Sequence, residues 1–367
     1  MTYRVIQWAT GGVGRGAIDA IATHPELELV GCWVHSEDKV GRDAGELAGC
    51  GTLGVAATHD VDEIVGMDAD CVLYSPMIAN PNELARLLES GKNVVTPLGW
   101  FYPASLDNSK LERACEAGGA TLHGTGIHPG GITERFPLVV SALSARITYV
   151  LAEEFSDIRT YGAPQVVGEV MLFGKPLDEA RQSPMLRLLG GGFTQSIDMV
   201  ASALGLRLDP EKRTEHQIAI ATAPIDSPVG KIEPGRVAGQ RFSWHGCVGG
   251  EPVVTARVNW MMGDEFLEPA DAASEVPHGW KFGSGGERFD VTVTGEPPVH
   301  LTFHGLHPES IQAGLESNPG VNATAVHCVN AIPDVCRAAS GIRTYLDLPA
   351  YTGRAHPDLI ARSGGGA

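Results

Sequence analysis

A short apolar run, Val5-Ile6-Gln7-Trp8-Ala9, is followed at once by Gly11, Gly12, Gly14 and Gly16, and then by Ala17-Ile18 and Ala20-Ile21-Ala22. The run predicts a buried parallel strand, the glycines a tight turn, and the apolar spacing a helix. Strand, glycine turn and helix in that order form the setting in which a dinucleotide fingerprint has physical meaning. Two spacings fit: Gly11-x-x-Gly14-x-x-Ala17 and Gly12-x-Gly14-x-x-Ala17. In either, one glycine makes the turn, one admits backbone N–H groups to a pyrophosphate, and Ala17 lets helix and strand pack closely. Thr10, Gly11, Gly12, Val13 and Gly14 are therefore candidate cofactor-binding residues. Glycine is frequent here, 46 of 367 residues, so the setting carries the argument more than the spacing does.

A chain of 367 residues is expected to form about two domains. A formal charge of −17 argues against nucleic acid and anionic membrane surfaces as partners. No apolar run reaches the ~18 residues of a membrane span, and the opening lacks the pattern of a secretory signal. Seven cysteines without a C-x-x-C pair fit a reducing cytoplasm, and no zinc spacing occurs among them.

Short strands are predicted over 27–34, 55–58, 70–74, 93–97 and 120–124. They alternate with helices over 62–65, 82–90 and 106–117. The pattern is α/β, a doubly wound parallel Rossmann sheet over 1–131. Ligands in such sheets gather at the carboxyl ends of strands. Ser75 and Pro76, Leu98-Gly99-Trp100, and Thr125-Gly126-Ile127-His128-Pro129 are thus expected to face the cofactor and its partner. The tip of the second strand chooses between NAD and NADP. It reads His35-Ser36, then Glu37, Lys39 and Arg42. Ser36 can donate to a 2′-phosphate that Lys39 and Arg42 neutralise, so NADP(H) is preferred; Glu37 keeps NAD(H) open.

The stretch from Gly124 to Arg135 reads as a hinge into a helix capped near Gly131 or Thr133. His128 stands at its apex, where two roles stay open: proton donor, or partner of the nicotinamide amide or a backbone carbonyl. From Arg146 the pattern changes to strands over 147–155, 216–223, 236–247, 252–261, 289–294 and 299–303, with helices over 165–173 and 184–204. This predicts an α+β substrate domain over 132–310 with a mostly antiparallel sheet. His300, His304 and His307 are spaced so that the first two share a strand face. Without a carboxylate at ligand spacing they are not taken as a metal site, and His304 is a candidate substrate contact. Residues 311–367 contain a helix over 323–339, apolar at Val326, Val329, Ile332 and Val335 and kinked at Pro333. This helix is expected to return to the nucleotide domain, ahead of a disordered glycine-rich tail over 363–367.

The opening RVIQWATGGVGRGAI, the tip VHSEDKVGRDAGEL, the hinge GTGIHPGGITERFPL and the late HCVNAIPDV resemble proteins with a dihydrodipicolinate-reductase-type N-terminal domain. The likeness is strongest to the branch of 2,4-diaminopentanoate dehydrogenases and native amine dehydrogenases. The resemblance implies a Rossmann domain plus an α/β substrate domain, a homodimer, and reduction of imines or deamination of amines with NADP(H) or NAD(H). Two departures stand out. The His pair, Lys and Ser-Gly-Thr loop of lysine-pathway reductases are missing from Ser156-Asp157-Ile158-Arg159-Thr160-Tyr161. The acid that branch members carry before their Tyr-Pro pair is missing too: Leu98-Gly99-Trp100-Phe101 precede Tyr102-Pro103.

These features imply an NADP(H)-dependent oxidoreductase that moves a hydride to or from a C=N or C=O carbon. Candidate proton donors are His128, Tyr102, Tyr161 and Glu134. Trp100 and Phe101 suggest a small, rather hydrophobic substrate. A non-catalytic NADP-binding sensor is the alternative.

Overall fold

The computed structural model describes residues 2–356 and 358–359. The tail over 363–367 lies outside the described residues. The chain divides into two compact units, Met1–Gly131 with Val321–Ala367, and Ile132–Gly320.

The first unit is built on a seven-stranded parallel sheet. Its strands and helices alternate: β1 (Tyr3–Trp8), α1 (Gly12–Thr23), β2 (Leu27–Trp33), α2 (Ala44–Ala48), β3 (Ala57–Thr58), α3 (Val61–Gly66) and β4 (Cys71–Tyr74). Next come α4 (Pro81–Glu89), β5 (Asn93–Thr96), α5 (Ser109–Gly118) and β6 (Thr121–Gly124). Local chemistry sets the ends. Asn80 caps α4 by accepting from Asn82 N–H at 2.9 Å, with Pro81 in the first turn. Gly119, at φ +65°, closes α5 in the left-handed conformation. Helix α5 starts three residues later than the periodicity suggests. A turn over 103–105 intervenes, and the Asn108 amide closes it by donating to the carbonyls of Pro103 (2.7 Å) and Leu106 (3.1 Å). The third strand shrinks to two residues because Ala56 bridges back to Asp43.

The second unit opens on a π-helical turn, Gly131–Arg135, that runs straight into α6 (Phe136–Ser141). The capped helix start expected at Gly131 or Thr133 is not formed. Pro137 has no N–H to close a regular turn with the preceding carbonyls, which accounts for the widened coil. Then come β7 (Ala145–Asp157), α7 (Leu177–Arg181), α8 (Met185–Ala203), β8 (Arg213–Ala221), β9 (Ile225–Ser227), β10 (Gly230–Ile232) and β11 (Val237–Val248). They are followed by β12 (Glu251–Met261), β13 (Leu267–Pro269), β14 (Arg288–Glu296), β15 (Val299–Phe303) and α9 (Ile311–Glu316). The main sheet runs β13-β8-β11-β12-β7-β14-β15 and is antiparallel except where β12 meets β7. One face packs Phe242, Trp244, Val254 and Val258 against Phe193, Ile197 and Val200 of α8. The opposite face is mixed: Glu153 lies between Arg257 (3.3 Å) and Arg241 (3.6 Å), and Ala219 and Met261 pack under Trp280. The helix expected over 165–173 is only a five-residue π turn, Val166–Val170. Three valines and Gly168 are poor material for a regular helix.

The last helix, α10 (Pro319–Arg337), and β16 (Gly341–Ile342) complete the first unit. Sheet order there is β16-β6-β5-β4-β1-β2-β3. Ala325, Cys328, Val329, Ile332 and Val335 of α10 pack on Tyr3, Val5, Ala17, Ile21, Leu73 and Val95. Val326, expected in that stripe, is instead exposed. The stretch over 311–320, which the sequence places with this helix, belongs to the second unit.

Candidate functional site

Strand order reverses at β1, flanked by β2 on one side and β4 on the other. Such a switch point, at the strands' carboxyl ends, is where open α/β sheets receive ligands. The backbone there is built to a narrow tolerance. Ala9 adopts φ +75°, a left-handed conformation rare for alanine. Its carbonyl so crowds α1 that a Cβ on Gly14 would stand 2.1 Å from the Ala9 oxygen. Gly14 is thus the glycine of close packing. Gly11 is the open one: it caps α1 without a side-chain bond, and a Cβ there meets nothing within 4 Å. The helix N-terminus, with its N–H groups and positive dipole end, stays accessible to an anion. Gly12 and Gly16 lie against Val321, Asn322 and Ala325 at the start of α10.

Gln7 is a residue sequence reasoning passed over. Its buried amide donates to the carbonyls of Trp8 (3.0 Å) and Ala9 (2.9 Å) and to Ser75 Oγ (2.9 Å). One side chain therefore ties the glycine turn to the Ser75-Pro76 segment after β4. A polar residue inside an otherwise apolar strand was the available signal.

At the tip of β2, His35 and Ser36 are exposed. Ser36 caps a 3₁₀ turn, Glu37–Lys39. Lys39 Nζ donates to Thr10 Oγ1 at 3.2 Å, so two candidate cofactor residues from different loops meet. Arg42 is exposed close by in sequence. Next to it, Asp43 receives five backbone N–H groups: Gly45 (2.8 Å), Glu46 (3.2 Å), Leu53 (3.0 Å), Gly54 (2.7 Å) and Val55 (3.1 Å). These bonds hold its carboxyl below the usual carboxylate range. Its capping role could have been read from Asp43-x-x-Glu46, a capping-box spacing.

After β5, Trp100 is half-buried at φ +58° and packs on the sheet core with Leu98. Phe101 is 2 % exposed, so in this structure it presents almost no surface as a pocket wall. Gly124 permits the loop's approach: a Cβ there would lie 2.0 Å from the Gly99 carbonyl. Tyr102 is half-buried before the turn at Pro103. Beyond β6, Gly126 is buried, His128 is half-buried on a cis bond to Pro129, and Ile127 bridges back to Gly130. Behind this loop lies a buried polar network that sequence reasoning missed. Thr125 Oγ1 contacts the Tyr351 hydroxyl at 2.9 Å and the Tyr345 hydroxyl. His327 meets the same two tyrosines, at 3.2 Å and 2.7 Å. His123 donates to the Arg343 carbonyl at 2.7 Å. Residues more than 200 positions apart in sequence make it, so no local pattern announces it.

Glu134, Tyr161 and His304 belong to the second unit. Glu134 is fully buried, and its Oε1 accepts from the Ser196 hydroxyl. Tyr161 is half-buried, with its hydroxyl pushed up by burial and then by Glu154. His304 does not share a strand face with His300, because β15 ends at Phe303; it is exposed. His300 stands apart from the other two, while His304 is near enough to His307 to lower it electrostatically, after burial. His300 contacts Thr292 and Thr302, each at 2.9 Å, while His307 contacts Ser156 at 2.9 Å and stacks on Phe289. Among the described residues, no helix is long and apolar enough to cross a membrane.

A parallel seven-stranded sheet with an open glycine turn at its switch point, followed by a mostly antiparallel α+β unit, defines a Rossmann-type fold of the kind that binds dinucleotides. Residues 5–97 match the dihydrodipicolinate reductase N-terminus, and residues 138–260 match the 2,4-diaminopentanoate dehydrogenase C-terminal domain. The chain is 31 % identical to an amine dehydrogenase from Streptomyces virginiae, over 94 % of this chain and 95 % of the relative. It is 24 % identical to the 2,4-diaminopentanoate dehydrogenase of Acetoanaerobium sticklandii, over 94 % and 93 %. The solved amine dehydrogenase of Mycobacterium smegmatis shares the fold at a TM-score of 0.74, with 22 % identity and coverage of 96 % and 98 %. The chain belongs to this amine dehydrogenase and 2,4-diaminopentanoate dehydrogenase family of oxidoreductases.

Proposed function

We propose that the protein is an NADP(H)-preferring oxidoreductase that interconverts a small, apolar amine and its imine or carbonyl counterpart. The observation that carries this reading is the open helix N-terminus at Gly11, with Lys39 anchored on Thr10 beside the exposed Ser36. The residues present fit a dinucleotide. The α1 N-terminus would take the pyrophosphate, and Ser36, Lys39 and Arg42 would take a 2′-phosphate. When bound, the nicotinamide supplies or accepts a hydride. The chain's own task is to hold the substrate carbon in reach and to move a proton at the heteroatom. His128, Tyr102, Tyr161 and Glu134 are the groups proposed for that proton, with Trp100 and His304 at the substrate. A homodimer is the proposed assembly.

The first measurement compares NADPH and NADH dissociation constants for the wild type and Ser36→Asp. The expected result is tighter NADPH in the wild type, by about tenfold or more for a lost phosphate contact, and reversal in the variant. Equal affinities unchanged by the substitution refute the cofactor preference. The second follows nicotinamide absorbance with amine, ketone-plus-ammonia and enone panels. Binding without turnover across all of them would favour a non-catalytic sensor, a reading that the absent acid at 98–101 also fits.

A further inference from the structure

One carboxylate beside the cofactor loop is committed wholly to backbone. Asp43 follows Arg42, yet both its oxygens turn inward. Oδ1 accepts from the N–H groups of Gly45 (2.8 Å), Glu46 (3.2 Å) and Leu53 (3.0 Å), and Oδ2 from those of Gly54 (2.7 Å) and Val55 (3.1 Å). Capping α2 accounts for the bonds to Gly45 and Glu46. The other three reach a different stretch of chain, and a cap does not need them. Together the five hold the carboxyl below the usual carboxylate range, so it is ionised near pH 7.

The bonds to 53–55 complete a small piece of sheet. Strand β3 lies parallel to β2, with Ala57 beside Cys32 and Thr58 beside Trp33. On its far side the Gly41 N–H donates to the Ala57 carbonyl (2.7 Å) and the Ala57 N–H to the Arg42 carbonyl (2.8 Å). The Ala44 N–H donates to the Val55 carbonyl (2.8 Å), and Asp43 faces Ala56 across an antiparallel bridge. Residues 41–44 are thus an outer edge to the sheet, running back against β3. Gly41, at φ +77°, makes the reversal that follows the Glu37–Lys39 turn. Asp43 is extended, at φ −67° and ψ 134°, so Arg42 and Ala44 lie to one side of it. Ala44 is buried with Ile18 of α1, Cys32 and Val34. Arg42 therefore stands on the side that α1 covers, nearer the carboxyl ends of the strands. At that end of β2, Lys39 reaches Thr10 at 3.2 Å. The Arg42 side chain is exposed and long, and a phosphate gains most from it when its backbone is already in place.

We propose that Asp43 is a positioning residue for NADP(H): it fixes the backbone of Arg42 beside the cofactor's 2′-phosphate and so sets the preference over NAD(H). The inference rests on the cofactor preference proposed above, and deepens it by naming what holds the phosphate-facing cation. Asp43 itself touches no part of the cofactor. Its charge faces five N–H dipoles, which leaves Arg42 to the phosphate.

The test measures dissociation constants of NADPH and NADH by fluorescence titration of the full chain, for wild type, Arg42→Met and Asp43→Asn. The asparagine oxygen can still accept from one set of N–H groups, but its NH₂ cannot accept from the other. Arg42→Met should cut the NADPH preference about tenfold, the loss of one charge-assisted bond, and Asp43→Asn about three- to fivefold through a misplaced Arg42. NADH affinity should stay within about twofold in both variants. Loss of both nucleotides in the same proportion in Asp43→Asn overturns the proposal, because it shows general damage to the loop. So does an unchanged preference in a folded Asp43→Asn protein when Arg42→Met has lost it. If Asp43→Asn does not fold, Asp43→Ser, which keeps a capping oxygen for α2, is judged by the same ratio. Equal wild-type affinities for the two nucleotides remove the cofactor reading and this inference with it. A wild-type preference for NADPH that both substitutions leave intact removes this inference alone.

Discussion

Gly14 and Gly11 stand three residues apart in one turn, yet the structure assigns them opposite duties. A Cβ added at Gly14 would meet the Ala9 oxygen at 2.1 Å, the Ala9 carbon at 2.9 Å and Gln7 Nε2 at 3.1 Å. The first two are backbone atoms, and the third ends a side chain that is itself held in place. Ala9 is already held at φ +75°, and Gln7 is pinned between two carbonyls and Ser75. The helix must back away or the turn must open. Overpacking against backbone sits at the upper end of the usual cost, about 3 kcal/mol or more. For a unit of this size that lowers the melting temperature by roughly 6–12 °C. Gly11→Ala is the control. Gly11 has φ −72° and ψ −168°, which any residue adopts, and its Cβ meets no atom within 4 Å. Its stability cost should stay below about 1 kcal/mol, the difference between glycine and alanine at a cap. Its open side, however, is the approach to the α1 N-terminus, so nucleotide affinity should fall. Circular-dichroism melting without nucleotide, paired with fluorescence titration of NADPH, reads the two effects separately. Gly14→Ala melting within 2 °C of the wild type, or Gly11→Ala destabilised as much as Gly14→Ala, would refute the assignment of duties.

Two further outcomes can be checked on stability alone. Glu287 is raised in the folded protein to about 7, mainly by burial, so between pH 4.5 and 7 the folded form keeps a proton that the unfolded chain has released. Its stabilising contribution is complete at low pH and is lost as pH rises through 7. Melting of Glu287→Gln relative to wild type should therefore improve from pH 5 to 8. His307, lowered to about 4, has the reverse sign: its contribution is present above 6.5 and fades as pH falls, so His307→Gln should gain on the wild type toward pH 5. Parallel curves for wild type and both variants contradict the burial of these groups. For Asp43→Ala, hydrogen exchange should quicken at the amides of residues 45, 46 and 53–55 while β1 and β4 stay protected. Unchanged exchange at those five amides refutes the anchoring role.

The first unit was legible because its signals are local. Apolar runs, glycine stops and the turn at 11–14 each act within a few residues. Even so, β16 escaped, since two residues, Gly341 and Ile342, carry no periodicity and are recruited by pairing with β6. The stripe of α10 holds at Val329, Ile332 and Val335 but not at Val326, where Ala325 and Cys328 pack instead, because several registers of small and branched residues fit one helix. The site was legible only where one loop contains it. Thr10 and Lys39 each drew notice, but their contact comes from two strands lying side by side. Ser156 and His307 are 151 residues apart and share a hydrogen bond that no spacing encodes. His300, His304 and His307 show the converse. Their spacing suggests one cluster, but the end of β15 at Phe303 takes His304 off the strand face of His300, and only His304 and His307 still act on each other.

Helix α10 gives the first unit a history as well as a shape. Its sheet begins at Tyr3, but the apolar cover for Tyr3, Val5, Leu73 and Val95 comes from residues 325–335. During synthesis these strands leave the ribosome long before their cover exists, at ~5–20 residues per second. For that interval α1 alone covers this face through Ala17 and Ile21, and the rest of it stays exposed, a surface of the kind that chaperones bind and that aggregates grow from. A chain stopped before Val321 would stay in that condition. Nonsense changes in the codons just before Val321 should therefore damage the nucleotide domain, not the substrate domain that directly precedes them.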